Sequence, residues 1–248
     1  FSNISLPDVV FGCDITADNS TTYMSFFSQM DTYGDGYAGI GVWRAAFKPL
    51  VDRIADTDIR LQWFCCDRST GVTDASGNRI TLIRDTQSPV AVEYQAVKFI
   101  GTGRDNIKAG VFSGWELGDY IYLRSEEAYM IKMEALAHKG SAEAVTELNS
   151  FMKTRQPDYN YTFTNKADLI EEIIYQKRVE FWGEGLEYID NRRLNIPVDR
   201  TDETWGAENN NHLSAGKFRY NQEDRPFLYQ LPLSEIENNS QLSPSDQN

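Results

Sequence analysis

The sequence predicts a mainly α-helical chain with loop-rich stretches and a minor β-hairpin, and three observations carry that expectation. Residues 123–155 place apolar side chains at helical spacing on both sides of a glycine. Residues 168–182 form a further helical run, dense in charge. Runs that suit strands are short and confined to residues 61–100.

Taken in order, MDTYGDGYAGIG is too rich in glycine for regular structure and reads as a loop. Trp43, Phe47, Leu50 and Ile54 then recur at helical spacing, so a short helix is expected over 42–54, kinked or broken near Pro49. LQWFCC and RITLI, separated by a turn-forming segment ending Ser76-Gly77-Asn78, read as the hairpin. VEYQAVKFI fits either a further strand or a short helix.

Between Glu126 and Ala137, Ala128, Ile131, Met133, Ala135 and Leu136 give a helix stopped by Gly140. Ser141 opens the next, with Ala144, Val145, Leu148 and Phe151 on one side. So short a connection requires antiparallel neighbours. The pair resembles one tetratricopeptide unit, and one such unit cannot bury its apolar face alone. An uncovered face near Ala128, Ile131 and Leu136 is therefore expected. A third helix spans about Asp168 to Trp182, capped by Thr164-Asn165 and ended by Gly183 and Gly185. DETWGAENNNHLSAG reads as a long polar loop.

Composition excludes several functions. The formal net charge is −13, which repels a phosphate backbone, so no nucleic acid is expected as partner. With 41% hydrophobic and 12% aromatic residues among 248, the chain can bury one large core or two modest ones. No apolar run approaches the roughly 20 residues of a membrane helix. Phe1 is not Met, and FSNISLPDVV lacks both a basic leader and an apolar run, so any export signal is expected to be removed or outside this sequence. Cys13, Cys65 and Cys66 lack metal-site spacing and read as buried thiols, with a bridge from Cys13 to either partner left open.

Candidate chemistry is sparse. Glu180 and Glu184, four residues apart, would share one helix face, whereas glycosidase carboxylates flank a sugar from opposite sides, roughly 5–10 Å apart. Ion pairing with Arg178, Arg192 and Arg193 is the expected role of the two glutamates. Asp31, Tyr33 and Asp35 before Gly36 imitate the start of a calcium loop, but Val42 stands where its bidentate glutamate belongs, so an acidic turn is expected. His138 ends a helix, where a cation suits the dipole. His212 lies in an unrelated context, and no serine elbow, HExxH or nucleotide loop is present. No catalytic residue, metal or cofactor is expected.

Two stretches carry a family resemblance. The first is LRSEEAYMIKMEALAHKGSAEAVTELNSFMKTRQ followed, after a loop, by DLIEEIIYQKRVEFWGEGLEYIDNRR; the second is the closing FLYQLPLSEIENNSQLSPSDQN. Their order and spacing resemble the C-terminal signatures of the SusD/RagB family, glycan-capturing lipoproteins of the Bacteroidetes outer surface. Gln176 stands where the family pattern is usually acidic, and Leu186-Glu187 where a His or aromatic followed by a basic residue is common. The resemblance covers 123–248 most clearly, with 1–122 matching in general character, and implies the C-terminal portion of such a protein. It also implies non-catalytic capture of an oligosaccharide at the outer membrane, no cofactor, delivery to a SusC-like TonB-dependent transporter, and attachment through a lipid anchor outside this sequence. A glycoside hydrolase and a tetratricopeptide-type protein interaction module are the alternatives.

If the ligand is a sugar, aromatic faces are the groups to seek, since pyranose C–H faces stack on Trp and Tyr. Trp43, Trp63 and Trp182 fall in apolar patterns and read as core; Trp115 fits either role. Tyr33, Tyr37 and Trp205 lie in Gly- or Asn-rich segments and are the candidate ligand-binding residues.

Overall fold

A computed structural model describes residues 3–20, 25–31, 36–38, 44–65, 93–99, 101, 117–224 and 228–246. The chain divides into two compact units, Phe1–Glu180 and Phe181–Asn248.

The first unit begins with a sheet that the sequence pattern does not announce. Strand β1, Val9–Cys13, pairs antiparallel with a strand at Tyr120–Arg124, with irregular register between Val9 and Gly12. Gly12 is required there, because a Cβ would lie 2.6 Å from both the Tyr120 carbonyl oxygen and Ile4 Cγ2. Helix α1, Phe26–Met30, is capped by the Ser25 hydroxyl on Ser28 N. Its Phe27 is fully buried, packed edge-on to Phe26.

The helix expected over 42–54 is Lys48–Asp52, α2. Pro49 sits in its first turn instead of interrupting it, where a missing N–H costs nothing. Upstream, Arg44 to Ala46 run extended against Tyr94 to Ala96: the Ala46 N–H donates to the Tyr94 carbonyl (2.9 Å) and the Ala96 N–H to that of Arg44 (2.7 Å). The first part of LQWFCC is also not strand. Ile59–Trp63 form a 3-10 helix capped by Asp58, and β2 is Phe64–Cys65, paired with β3 at Gln95–Ala96. VEYQAVKFI thus contributes a strand, while RITLI lies outside the described residues. Cys13 is exposed and free, unlike the buried or bridged thiol expected.

The helix pair forms as the spacing predicts. Strand β4, Tyr120–Arg124, runs directly into α3, Ser125–His138, and α4 is Glu143–Met152. Gly140 adopts φ 72° between them. Its N–H donates to Ala137, and that of Ser141 to Leu136, so the last carbonyls of α3 are satisfied by a left-handed glycine stop. The face expected to be uncovered is exposed at Ala128 and Ile131, while Leu136 is half-buried. Met130, Met133, Glu134 and Ala137 are buried, whereas Ala128, Ile131 and Ala135 are exposed. Apolar residues occur on both sides of this helix, and spacing alone does not say which side meets the core.

That side is decided by α5, Lys166–Glu180, against which α3 packs as well as against α4. Asn165 caps α5, its Oδ1 accepting from Ala167 N (2.8 Å) and Asp168 N (3.1 Å). Leu169, Ile173, Ile174 and Val179 are buried together with Glu172, Gln176, Lys177 and Glu180, so the helix is enclosed on most sides despite its charge. Trp63 is half-buried, with Lys98 Nζ 4.7 Å from its ring centre, and Trp182 is half-buried too. Trp43 and Trp115 lie outside the described residues.

In the second unit Gly183 and Gly185, both at positive φ, precede a separate helix, α6, Leu186–Leu194. Strand β5, Val198–Asp199, pairs with β6, Arg219–Tyr220. Between them, the segment expected to be loop contains a one-turn helix α7, Asp202–Trp205, and a 3-10 turn, Ser214–Gly216. Helix α8, Leu233–Asn238, buries Ile236.

Candidate functional site

Glu180, the last residue of α5, is 1% exposed and meets three arginines from separate parts of the first unit. Arg155 donates through Nε to Oε2 (3.2 Å) and through Nη2 to Oε1 (3.0 Å). Arg124 Nη1 lies 3.3 Å from Oε1 and Arg60 Nη1 3.5 Å from Oε2. Arg124 Nη2 and Lys98 Nζ also donate to the Glu180 carbonyl, at 3.2 and 2.7 Å. Burial alone would raise the carboxyl pKa. The Arg155 hydrogen bonds and the charges of Arg60, Arg155 and Arg124 outweigh it and lower the value to about 2. A carboxyl so held gives up no proton to a substrate near neutral pH.

These three are not the arginines expected for Glu180. Arg193 binds Asp190 (2.8 Å) and Arg192 donates to the Gln222 carbonyl, both within the second unit. Glu184 lies beyond the end of α5, so no helix face joins it to Glu180. The long-range partners Arg60 and Arg124 carry no sequence signal linking them to Glu180. Gln176 explains itself better: its Oε1 accepts from Arg60 and its Nε2 donates to Glu172 Oε1 (2.7 Å), a two-way role that a carboxylate cannot fill.

Of the candidate aromatics, Tyr33 lies outside the described residues. Tyr37 is exposed, and its backbone N–H donates to Ser28 Oγ (3.3 Å) while the Ala38 N–H donates to the Ser28 carbonyl (2.8 Å), which ties residues 36–38 to α1. Trp205, 37% exposed, closes α7 and donates its indole N–H to the Asp199 carbonyl (2.9 Å). Asp199 is itself fixed: its carboxylate accepts from Thr201 N (3.0 Å), Thr201 Oγ1 (2.7 Å), Thr204 Oγ1 (2.7 Å) and Arg219 Nη1 (2.8 Å). Desolvation opposes ionisation of Asp199, but the Thr204, Thr201 and Arg219 contacts overcome it and bring the pKa to about 2. The residue that accepts from the Trp205 indole is thus itself held in place. Tyr37 belongs to the first unit and Trp205 to the second.

One feature of the first unit escaped the sequence reading. A cleft of about 340 Å³ opens between the α2 to 3-10 connection, the α4–α5 connection and α5. Tyr159 and Tyr161 stand in it with near-parallel rings, 18° apart, their centres 6.5 Å from each other. Tyr159 donates to Glu172 Oε1 (2.8 Å), and Glu172 also pairs with Arg53, whose guanidinium lies 3.9 Å from the Tyr175 ring centre. Burial raises the Tyr159 and Tyr175 hydroxyl pKa values, so both stay protonated donors. The signal available was QPDYNYT, two tyrosines alternating with polar residues between helices, which no apolar periodicity marks. Among the described residues no group of three or more His, Cys, Asp or Glu side chains is arranged to hold a metal ion. Asp31, from the calcium-like string, is buried and accepts from Gly101 N (2.7 Å).

The family model of the SusD family matches residues 94–248. The chain belongs to the SusD family. Solved structures agree with the fold. A SusD-like carbohydrate binding protein from Bacteroides vulgatus superposes with a TM-score of 0.67 at 21% identity, over 98% of this chain and 49% of that one. A SusD superfamily protein from Bacteroides thetaiotaomicron gives 0.60 at 19%, over 97% and 48%, and one from Parabacteroides distasonis 0.60 at 16%, over 97% and 49%. At these identities the likeness shows the fold alone. The chain spans about half the length of these structures. No curated protein matches it. The SusD-like fold is mainly helical here, as the sequence predicts, with minor two-stranded β pairs.

Proposed function

We propose that this chain is the C-terminal portion of a surface nutrient-binding protein that captures an oligosaccharide without chemically altering it and passes it to a SusC-like TonB-dependent transporter. The observation that carries this reading is membership of the SusD family over 94–248, together with the arginine-locked Glu180. Attachment to the outer membrane would come from a lipid anchor outside these residues; no helix among those described is long and apolar enough to cross a membrane.

Stacking on Tyr33, Tyr37 and Trp205 supplies the affinity in this reading, with amides and carboxylates at the rim meeting the hydroxyls. Trp205 is the best prepared, because its indole N–H is already satisfied by the Asp199 carbonyl and the residue is 37% exposed. A glycoside hydrolase would need two carboxylates on opposite sides of a sugar, one with a raised pKa, and Glu180 has the reverse. A peptide-binding tetratricopeptide groove needs several stacked repeats, and the described residues supply one helix pair.

Glycan-array screening followed by calorimetry tests the proposal. Binding of an oligosaccharide with no release of shorter products on long incubation is the expected result. Turnover of any bound glycan, or affinity for peptides in place of sugars, overturns it.

A further inference from the structure

The cleft beside Tyr159 and Tyr161 has the properties of a ligand site and takes no part in the reading above. Its volume of about 340 Å³ lies within the roughly 300–1,000 Å³ of small-molecule clefts. Its walls are fixed before any ligand arrives. Asn149 clamps the Tyr161 backbone from both sides, Nδ2 donating to its carbonyl (3.0 Å) and Oδ1 accepting from its N–H (2.6 Å), and the Tyr161 hydroxyl donates to the Asp168 carbonyl (3.0 Å). Across the cleft the Ile59 N–H donates to the Arg155 carbonyl (2.9 Å) and Thr57 Oγ1 to Asp158 Oδ1 (2.7 Å). Walls already ordered spare a ligand the entropy of ordering them.

The chemistry of the lining narrows the ligand class. Three acids line the cleft, Asp58, Asp158 and Glu172, against Arg53, so an anion is disfavoured. Two of those acids are already matched, Asp58 by Arg60 (2.7 Å) and Glu172 by Arg53. What remains is weak attraction for a cation, with the Arg53 guanidinium standing in its way. The unspent capacity is polar, with one cation and one anion offsetting each other: the Asn160 amide, the remaining Arg53 donors and the Asp158 carboxylate. The exposed Asn160 amide makes no hydrogen bond among the described residues, and Arg53 uses Nη2 for Glu172 while its other donors have no partner among them. Aromatic faces beside an amide, a guanidinium fork and a carboxylate suit a flat-faced ring edged with hydroxyls.

We propose that this cleft is a carbohydrate subsite, separate in its residues from Tyr33, Tyr37 and Trp205, that takes one neutral pyranose unit, with Tyr161 offering the ring face and Arg53, Asn160 and Asp158 meeting its hydroxyls. The inference stands on the cleft and does not require the oligosaccharide reading of the loops.

The test is titration of the 248-residue chain with methyl pyranosides of glucose, galactose, mannose and xylose, followed by saturation-transfer NMR. At least one should bind with millimolar affinity. Asn160→Ala, at an exposed position with no hydrogen bond to lose, should weaken it at least fivefold with an unchanged melting temperature, and Arg53→Lys, which keeps the charge and loses the fork, should weaken it as well. Absence of binding by every pyranoside, binding insensitive to both cleft variants, or preference for ammonium or phosphate probes overturns the proposal. Oligosaccharide binding that is lost in Trp205→Ala, with no pyranoside held in the cleft, defeats this inference alone. Cleft binding without any oligosaccharide binding defeats the preceding one alone.

Discussion

Arg155, three residues beyond the end of α4, forks onto both carboxylate oxygens of Glu180 at the last residue of α5, at 3.0 and 3.2 Å. This pair joins the helix hairpin to the central helix where each ends, and Arg60 and Arg124 complete the shell with side chains 1–2% exposed. Three cations around one anion are tolerable because each arginine has further acceptors: Asp58 and Gln176 for Arg60, Glu126 for Arg124 and Arg155. Glu180→Gln should therefore destabilise the chain by about 3–5 kcal/mol, the cost of leaving buried charge without its partner. Denaturant titration measures it. A loss below 1 kcal/mol would mean that the arginines redistribute onto their other acceptors.

The same residue sets an acid limit. Glu180 ionises at about 2 in the folded chain against an ordinary value of 4.5, so the folded state binds fewer protons than the unfolded one between those values. Its contribution is complete above about pH 4.5 and is lost as the pH falls toward 2, a difference on the order of 3 kcal/mol. Asp199 acts in the same direction over a narrower window, from its ordinary 3.8 down to about 2. Denaturation at stepped pH should show stability falling below 4.5, with a shallower fall in Glu180→Gln. Equal slopes in the two proteins would assign the acid limit to other carboxylates.

Gly140 offers a cleaner backbone test. It holds φ 72° with open space around the position of a Cβ, so alanine there meets no clash and pays for backbone conformation alone. Gly140→Ala should cost roughly 1–2 kcal/mol and Gly140→Asn less, since Asn visits the left-handed region more readily. Thermal melts of the two variants compare them directly. Equal cost for both would show that the stop does not depend on the left-handed geometry.

The helix pair was legible because spacing, a glycine stop and a short connection are local signals that agree. What the sequence hid is long-range. The side of α3 that meets the core, with Met130, Met133, Glu134 and Ala137, is set by α5 some thirty residues away. The strand pair of β1 and β4 joins segments more than a hundred residues apart with no turn between them to announce it. Pro49 was misplaced because a proline in a first turn and a proline inside a helix look alike until the N-cap is known. The cleft failed to register for a related reason: its tyrosines sit in a connection, where neither apolar period applies.

The outward side of α3 carries a further expectation. Ile131 and Tyr129 are exposed on its two flanks, and Phe11 and Tyr122 of the β1–β4 pair are exposed as well, their ring centres 5.6 Å apart. An apolar surface of this kind is what a tetratricopeptide pair leaves for a stacking neighbour. Ile131→Lys should change the stability of this chain by less than about 0.5 kcal/mol, the usual effect at an exposed position. In a protein of the relatives' full length the same substitution should be markedly destabilising if further helices cover the face. Melting curves of the two lengths side by side decide this, and a neutral effect in both would leave the surface without an intramolecular partner.

Trp205 provides the sharpest test of ligand capture. Its ring is exposed while its indole N–H is committed to the Asp199 carbonyl, so the face and the edge contribute separately. Trp205→Ala removes both; Trp205→Phe keeps an aromatic face and loses the hydrogen bond, worth about 0.5–1.5 kcal/mol. If the face binds sugar, alanine should weaken oligosaccharide affinity about 2- to 13-fold, the equivalent of roughly 0.5–1.5 kcal/mol for a stacked ring, while phenylalanine retains most of it. Both variants should melt at nearly the same temperature as each other. Calorimetry with an oligosaccharide found by array, beside the melting curves, separates the outcomes. Unchanged affinity in Trp205→Ala with a large drop in melting temperature would make Trp205 an anchor of its own turn, its ring serving the knot around Asp199 and not a ligand.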